Sequence, residues 1–382
     1  MIKRFLFIGI PLILTVSCKS SADEKKDNPN EKITKMEVAY IGTYTKKEGH
    51  VDGQAEGIYT VYRDPETGKL EKGNTAAKVT NPSFVKMSKD KDYLYAVSEL
   101  GAGDAPSGYI HSFKINEDHG LEEIGKISTE GFAPCYIAED ITGNFIFVAN
   151  YVGGVVMLYE KAPDGSLMIK QKVTLENPDK SHPHSVNISA NNKHVFINDL
   201  GNDRIWFFDF DAEGGELLAK PSSHIQLTEG SGPRHFAFSS KGEFGYSINE
   251  LNSTVSAFEI GENGELAHLM NISTLPEGYK EENSAADIHL HPSGKYLYAS
   301  NRGHNSIVGY KIEENGKLGV LAHTSTGGET PRNFAISGDG DFLYVANQDS
   351  HNIVTFQIDK ATGELIKLDE LQVKTPVCIE FL

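Results

Sequence analysis

Between residues 37 and 382 short apolar runs alternate with polar, glycine-bearing breaks, and no stretch of useful length carries a helical period. The clearest case runs from Gly232 to Glu250, GPRHFAFSSKGEFGYSINE. Two apolar runs, HFAF and FGYSI, flank the turn-forming SSKGE, which is the pattern of a β-hairpin. Arg234 and Glu250 are sixteen residues apart and their midpoint falls in that turn. Closing the hairpin therefore predicts a guanidinium and a carboxylate together at its open end.

The same unit recurs around the chain. Gly-x-Leu, or a close variant, follows a polar turn at Leu70, Leu121, Leu167, Leu217, Leu266, Leu318 and Leu365, at spacings of 46 to 52 residues. A proline opens the hairpin at Pro82, Pro134, Pro183, Pro233, Pro331 and Pro376, and one further repeat, near Ser284 and Ala285, lacks it. A polar residue closes the hairpin at Glu99, Asn150, Asp199, Glu250, Asn301 and Asn347. Four short strands in each period of about 50 residues is the signature of a propeller blade. The expected fold is all-β: a seven-bladed β-propeller with four antiparallel strands per blade. PVCIEFL at the C-terminus supplies a first strand and stops, whereas VAYIGT and GIYTVY near the N-terminus lack one. The last blade is thus predicted to be closed by N- and C-terminal strands, which removes a free sheet edge.

In such a blade the start of strand one and the end of strand two share a face of the disc. Those positions gather His182 and His184 with Asp199, Arg234 and His235 with Glu250, Asp287 with Arg302 and His304, and Arg332 with Gln348. Asn150, Asp199 and Asn347 read as groups that bond neighbouring backbone. A buried ion pair such as Arg234–Glu250 contributes little net stability, so its presence on a channel rim points to chemistry. Arginine suits carboxylate or phosphate because its planar fork donates two parallel hydrogen bonds. The expected ligand is a small anion.

Composition narrows the field. The formal charge of −17 argues against a nucleic-acid partner. The His-Pro-His spacing has no thiol cluster to complete a zinc site, and no Gly-x-Ser-x-Gly elbow, phosphate loop or dinucleotide fingerprint is present. No metal or cofactor is expected. Cys135 and Cys378 fall on repeats separated by another repeat, so they read as free thiols. At the N-terminus Lys3 and Arg4 precede an apolar run from Phe5 to Val16, followed by Ser17 and Cys18. Residues 1–18 read as a lipoprotein-type signal peptide with lipidation at Cys18, residues 19–36 as a flexible tether, and 37–382 as the propeller. The protein is then expected at the cell envelope, touching membrane only through a lipid anchor on Cys18.

The stretches YIGTYT, NPSFV with LYAVSE, FVANYVGG, HPHSV with DLGNDRI, GPRHFAF with NELNSTV, SNRGHNSI, and TPRNFAI with ANQDSHNI resemble the seven-bladed propeller lactonases. That family is typified by cycloisomerase-type 6-phosphogluconolactonases and includes the fungal carboxymuconate cyclases as relatives. The resemblance implies a catalytic set of His184, Arg234, Glu250 and Arg302, and hydrolysis of a sugar-type lactone without a cofactor. Glu250 or His184 would be the base, and Arg234 and Arg302 would hold the anionic group and the oxyanion. Glu250→Gln is expected to abolish turnover with thermal stability near wild type. Asp287 stands where relatives commonly carry Glu, and NPDKSHPH lacks an Arg-Gln that many carry. Both departures bear on which lactone fits. The alternatives are the reverse cyclisation, and a non-catalytic binding propeller displayed on the envelope.

Overall fold

The computed structural model describes residues 36–218 and 223–382; the expected signal peptide, Cys18 and nearly all of the tether lie outside the described residues. Seven antiparallel sheets form the seven blades of the predicted propeller. Numbered in chain order by their innermost strands, blades 1 to 6 begin at Val85–Met87, Phe132–Glu139, Pro183–Ile188, Pro233–Phe238, Ser284–Leu290 and Pro331–Ile336. In each, the next strands follow in sequence order outward. In blade 3 the outer edge consists of two short pieces, Glu216–Leu218 and His224–Gln226, both paired with Arg204–Asp211. Blade 7 has the strand order Pro376–Phe381, Glu37–Thr43, Ile58–Arg63, Leu70–Ala77, so the two ends of the chain close the ring as expected.

The Gly-x-Leu repeat has a physical origin at the contacts between blades. Gly68 has φ +71°, and a Cβ built there would stand 2.3 Å from a ring carbon of Phe342 on blade 6. Gly316 repeats this against Phe244 of blade 4, with φ +77° and the same 2.3 Å. Only glycine both adopts this backbone conformation at no steric cost and lets the turn lie on the neighbouring aromatic ring. Tyrosines deeper in the neighbouring blades secure several of these turns: Tyr344 donates to the carbonyl of Gly68 at 3.1 Å, and Tyr298 to that of Gly363 at 2.8 Å. The leucine then enters the layer between sheets, with Leu70, Leu217 and Leu318 each 4 % exposed. Full burial of such a side chain stabilises by about 1.5–3 kcal/mol.

Blade 7 is fastened to blade 6 by side-chain contacts between the two sheets. The buried Arg63 donates to Tyr344 Oη at 2.9 Å and to Asp339 Oδ2 at 2.7 Å, and also pairs with Glu37. Cys135 and Cys378 are both free and buried, as their positions predicted.

One irregularity positions the site. In blades 2 to 7 the pairing of the first two strands slips near the start of the innermost strand. The extra residue is Cys135, His184, Arg234, Arg332 and Val377 in blades 2, 3, 4, 6 and 7; in blade 5, Ala286 and Asp287 share the space opposite Ser300. A bulge leaves its residue out of the ladder and re-aims the side chain. These bulged residues encircle one level of the central channel, and the residues after them form a second, deeper level.

Candidate active site

Above the channel lies an open cleft of about 690 Å³, lined among others by His50, Ser284, Arg302, Thr330, Arg332 and Gln348. Beneath it the channel narrows to a cavity of about 10 Å³ bounded by Ser83, Cys135, Arg234, His235 and Arg332. A further cavity of about 170 Å³ follows along the same strands, lined by Phe84, Tyr136, His235, Asp287, His289 and Asn333.

The predicted meeting of Arg234 and Glu250 occurs. Arg234 Nε stands 2.9 Å from Glu250 Oε2, and Arg302 Nη2 approaches the same oxygen at 2.9 Å from the next blade. The Arg234 N–H is not aligned on Oε2, so that contact is an ion pair without a hydrogen bond. Arg234 Nη1 donates to the carbonyl of Ala286 at 2.6 Å, and Arg302 Nη2 to that of Ala285 at 3.1 Å. Both arginines are therefore oriented by blade 5 backbone, and both ion pairs fall on a single carboxylate oxygen. Glu250 Oε1 makes no hydrogen bond or ion pair among the described residues. The Glu250 side chain is 18 % exposed, whereas Arg234 beside it is buried at 2 %.

Charge sets the ionisation states. Burial alone would raise the Glu250 pKa, but Arg302, Arg234 and Arg332 together hold it below its ordinary value. Burial, with the neighbouring charges of Arg302 and Arg332, pulls Arg234 down to about 10, still cationic at neutral pH. His184 is buried, and burial together with the charge of Arg234 pushes its pKa well below the ordinary value. Its ring packs edge-on against His235 at 5.2 Å and Tyr151 at 5.6 Å. Cys135 Sγ is 3.8 Å from His184 Nδ1, but burial drives its thiol pKa far up, which leaves it protonated and a poor nucleophile.

Not every predicted rim residue reaches the mouth. His235 and Asp287 belong to the deeper level, because the bulge places the residue after it one step down the channel. Asp287 is buried and fully engaged: Oδ1 meets His235 Nδ1 at 2.7 Å, and Oδ2 meets His289 Nε2 at 2.9 Å and Asn333 Nδ2 at 2.6 Å. That bond makes His235 Nδ1 the donor, so its Nε2 accepts from Arg234 Nη1 at 3.2 Å. Asp287 thus acts on the arginine through His235. His182 is turned onto blade 2, where it stacks on Tyr151 at 4.5 Å and bonds the Tyr151 carbonyl through Nδ1 at 2.6 Å. His304 turns outward, edge-on to Tyr279 at 4.8 Å and near His323 of the outermost strand of blade 5, and does not line the cleft. Arg302, Arg332 and Gln348 do line it.

The hairpin-end polar residues behave as their structural reading predicted. Asn150 donates to the carbonyls of Thr129 and Val155 at 3.1 and 3.2 Å, and Asn347 to that of Thr326 at 3.4 Å. Asp199 accepts from Ser181, the His182 amide and Trp206.

Three participants escaped the sequence. Tyr44 lies under Arg332, whose guanidinium is 5.5 Å from the ring centre. Tyr44 also donates to Glu99 Oε2 at 2.9 Å, and Ser83 donates to the same oxygen. His50 follows the short strand Lys47–Glu48 in an insertion of blade 7, and burial and Arg332 lower its pKa. Tyr44 was legible only as part of the YIGTYT motif. His50 has no counterpart in the other repeats, and no sequence signal marks it.

Arg302 and Arg332 at the mouth of a seven-bladed channel, with Arg234 and a doubly paired carboxylate beside them, define a polar small-molecule site in a propeller. The chain belongs to the lactonase family of seven-bladed β-propellers: the family described as "Lactonase, 7-bladed beta-propeller" matches residues 38–381. It is 36 % identical over 344 residues to the 6-phosphogluconolactonase of Formosa agariphila, a match covering 87 % of this chain and 95 % of that one. Identity to the 6-phosphogluconolactonase of Bacillus subtilis is 31 % over 356 residues, covering 90 % and 98 %. The solved periplasmic gluconolactonase of Pseudomonas aeruginosa superposes with a TM-score of 0.84 at 29 % identity, over 91 % of this chain and 99 % of that one. These names favour lactone hydrolysis over cyclisation.

Proposed function

We propose that the protein hydrolyses a sugar-type lactone to its hydroxy acid at the channel mouth, with Glu250 as the base. The observation that carries this is the placing of both arginine contacts on Glu250 Oε2, which leaves Oε1 to take a proton from water. Water adds to the lactone carbonyl as Oε1 removes its proton. The oxyanion of the tetrahedral intermediate faces the N–H groups of Arg302, backed by Arg234. Collapse breaks the bond to the ring oxygen, and the proton on Glu250 passes to that oxygen. The net reaction consumes one water and leaves the carboxyl group and a free hydroxyl.

A carboxylate with a depressed pKa is a weak base. The acyl centre of an activated ring ester needs only modest help, and charge stabilisation by preorganised donors is usually the larger contribution. His184 is the poorer candidate, since it is buried whereas the Glu250 side chain is partly exposed. The lactonase names of relatives at 31–36 % identity support the substrate class.

The apolar run from Phe5 to Val16 before Ser17 and Cys18 supports export and lipid anchoring at Cys18, with the propeller held at the cell envelope. Detergent-phase partitioning of the wild type and of Cys18→Ala tests that part. For the activity, acid release in a pH-stat from a panel of plain and phosphorylated aldonolactones is the direct assay. Acceleration over the spontaneous rate is expected. Binding without acceleration would leave a binding propeller, and ring closure of an unsaturated diacid by the same sample would reverse the assigned direction.

A further inference from the structure

The three arginines of the mouth are not equivalent. Arg234 and Arg302 share the single negative charge of Glu250 and are further tied to blade 5 carbonyls. Arg332 makes no hydrogen bond and no ion pair among the described residues; its guanidinium lies over the face of Tyr44 at 5.5 Å. Its charge is nonetheless firmly held: burial opposes it, but Tyr44, Glu99 and Glu250 raise its pKa from beyond ion-pair distance. It lines the open cleft together with Gln348, whose Oε1 is buried and has no partner in the protein. Gln348 Nε2 is committed to Asp349 Oδ1 at 2.9 Å, which fixes the amide with its oxygen uncommitted. Arg332 is half-buried at the open cleft, so its unused donors face solvent and are free to take the anionic oxygens of a ligand. An unused acceptor beside it calls for a hydroxyl.

We propose that Arg332, rather than the Arg234–Arg302 pair, anchors a negatively charged substituent of the lactone, with Gln348 Oε1 accepting one of its hydroxyls. This rests on the lactonase reading and orients the substrate within it. The charged end lies against blade 6, and the acyl carbon lies toward Glu250 and Arg302 at the boundary of blades 4 and 5. The group recognised is one that presents two anionic oxygens to a guanidinium fork, a carboxylate or a phosphate monoester. Because Arg332 is the bulged residue between Pro331 and Asn333, its Cα position is set by the blade rather than by a loop.

The test compares a neutral aldonolactone, a lactone carrying one carboxylate and a phosphorylated aldonolactone on the wild type, Arg332→Lys and Arg332→Met. The readout is the ratio of kcat/KM for a charged substrate to that for the neutral one. In Arg332→Met this ratio is expected to fall about 30- to 100-fold, the loss of one charge-assisted pair, with part of it recovered in Arg332→Lys. Whichever charged substrate shows the larger fall identifies the group as carboxylate or phosphate. A ratio within about threefold of wild type in Arg332→Met, or an equal fall in Arg302→Met, would overturn the assignment. Should the wild type hydrolyse none of the three, the catalytic reading fails by itself. Calorimetric binding of the corresponding open-chain acids then decides Arg332, by the same wild-type-to-variant ratio of charged to neutral affinity.

Discussion

Arg302 Nη2 stands 2.9 Å from Glu250 Oε2 across the boundary between blades 5 and 4, and Arg234 shares that oxygen from within blade 4. The carboxylate therefore shares its single charge between two guanidinium groups and remains partly exposed. Sequence alone suggested that Glu250→Gln would leave thermal stability near wild type, and the shared oxygen changes that expectation. The amide deprives Arg234, 2 % exposed, of its directly paired counter-charge. We expect a loss of about 3 kcal/mol in denaturant unfolding, the scale for breaking a buried pair. An unchanged unfolding midpoint would show that the two arginines do not depend on this carboxylate.

The same contacts fix a pH dependence. Burial would raise the Glu250 pKa, but Arg302, Arg234 and Arg332 outweigh it and lower it. A base works when deprotonated, so kcat/KM should hold as pH falls through the ordinary carboxylate range and decline only below it. Arg302→Met removes the largest lowering influence, and its acid limb should move up by about one unit or more. Rates on an acid-stable lactone across that range measure it. Coincident acid limbs would mean that another group titrates.

Asp287 offers a second linkage. Burial opposes its ionisation, but His289 and His235 hold its pKa well below the ordinary value. A carboxylate depressed in the folded state stabilises above its unfolded pKa, and that stability is lost as pH falls through the folded one. Asp287→Asn should therefore be several kcal/mol less stable at neutral pH, the scale of a broken buried pair, with the gap closing on acidification. Urea midpoints at a series of pH values read this directly. A gap that stays constant with pH would assign the cost to packing instead.

Ring closure depends on the last strand. Pro376–Phe381 is the innermost strand of blade 7 and pairs with Glu37–Thr43. Removing residues 376–382 leaves that edge open and uncovers the buried Val85 and Tyr40 side of the core. The truncated chain is expected to lose its cooperative thermal transition by circular dichroism. A transition within a few degrees of the full chain would mean that the other six blades hold the ring alone.

The architecture was legible because the repeat is physical. In six of the seven repeats the residue two before the leucine is a glycine at positive φ lying against a ring of the neighbouring blade. His119 takes that place in the seventh with φ +65°, so the spacing reports the blades themselves. The Arg234–Glu250 contact was legible for a similar reason, since a symmetric hairpin brings its ends together whatever lies around it. Depth in the channel was not legible. A bulge adds one residue without any compositional mark, and it separates Arg234 and His184 from His235 and Asp287 by a full level. His304 was misplaced because proximity to Arg302 in sequence does not specify which way a loop side chain turns. His50 was missed because it lies in an insertion, where periodicity carries no information.

The account depends most on Glu250 Oε1 acting as the base at the mouth. The most direct measurement is kcat of the wild type and of folded Glu250→Gln on one neutral sugar lactone, each corrected for spontaneous opening. The account predicts a fall of about 10²- to 10⁴-fold, the range for losing a general base. A variant that retains wild-type turnover would contradict it.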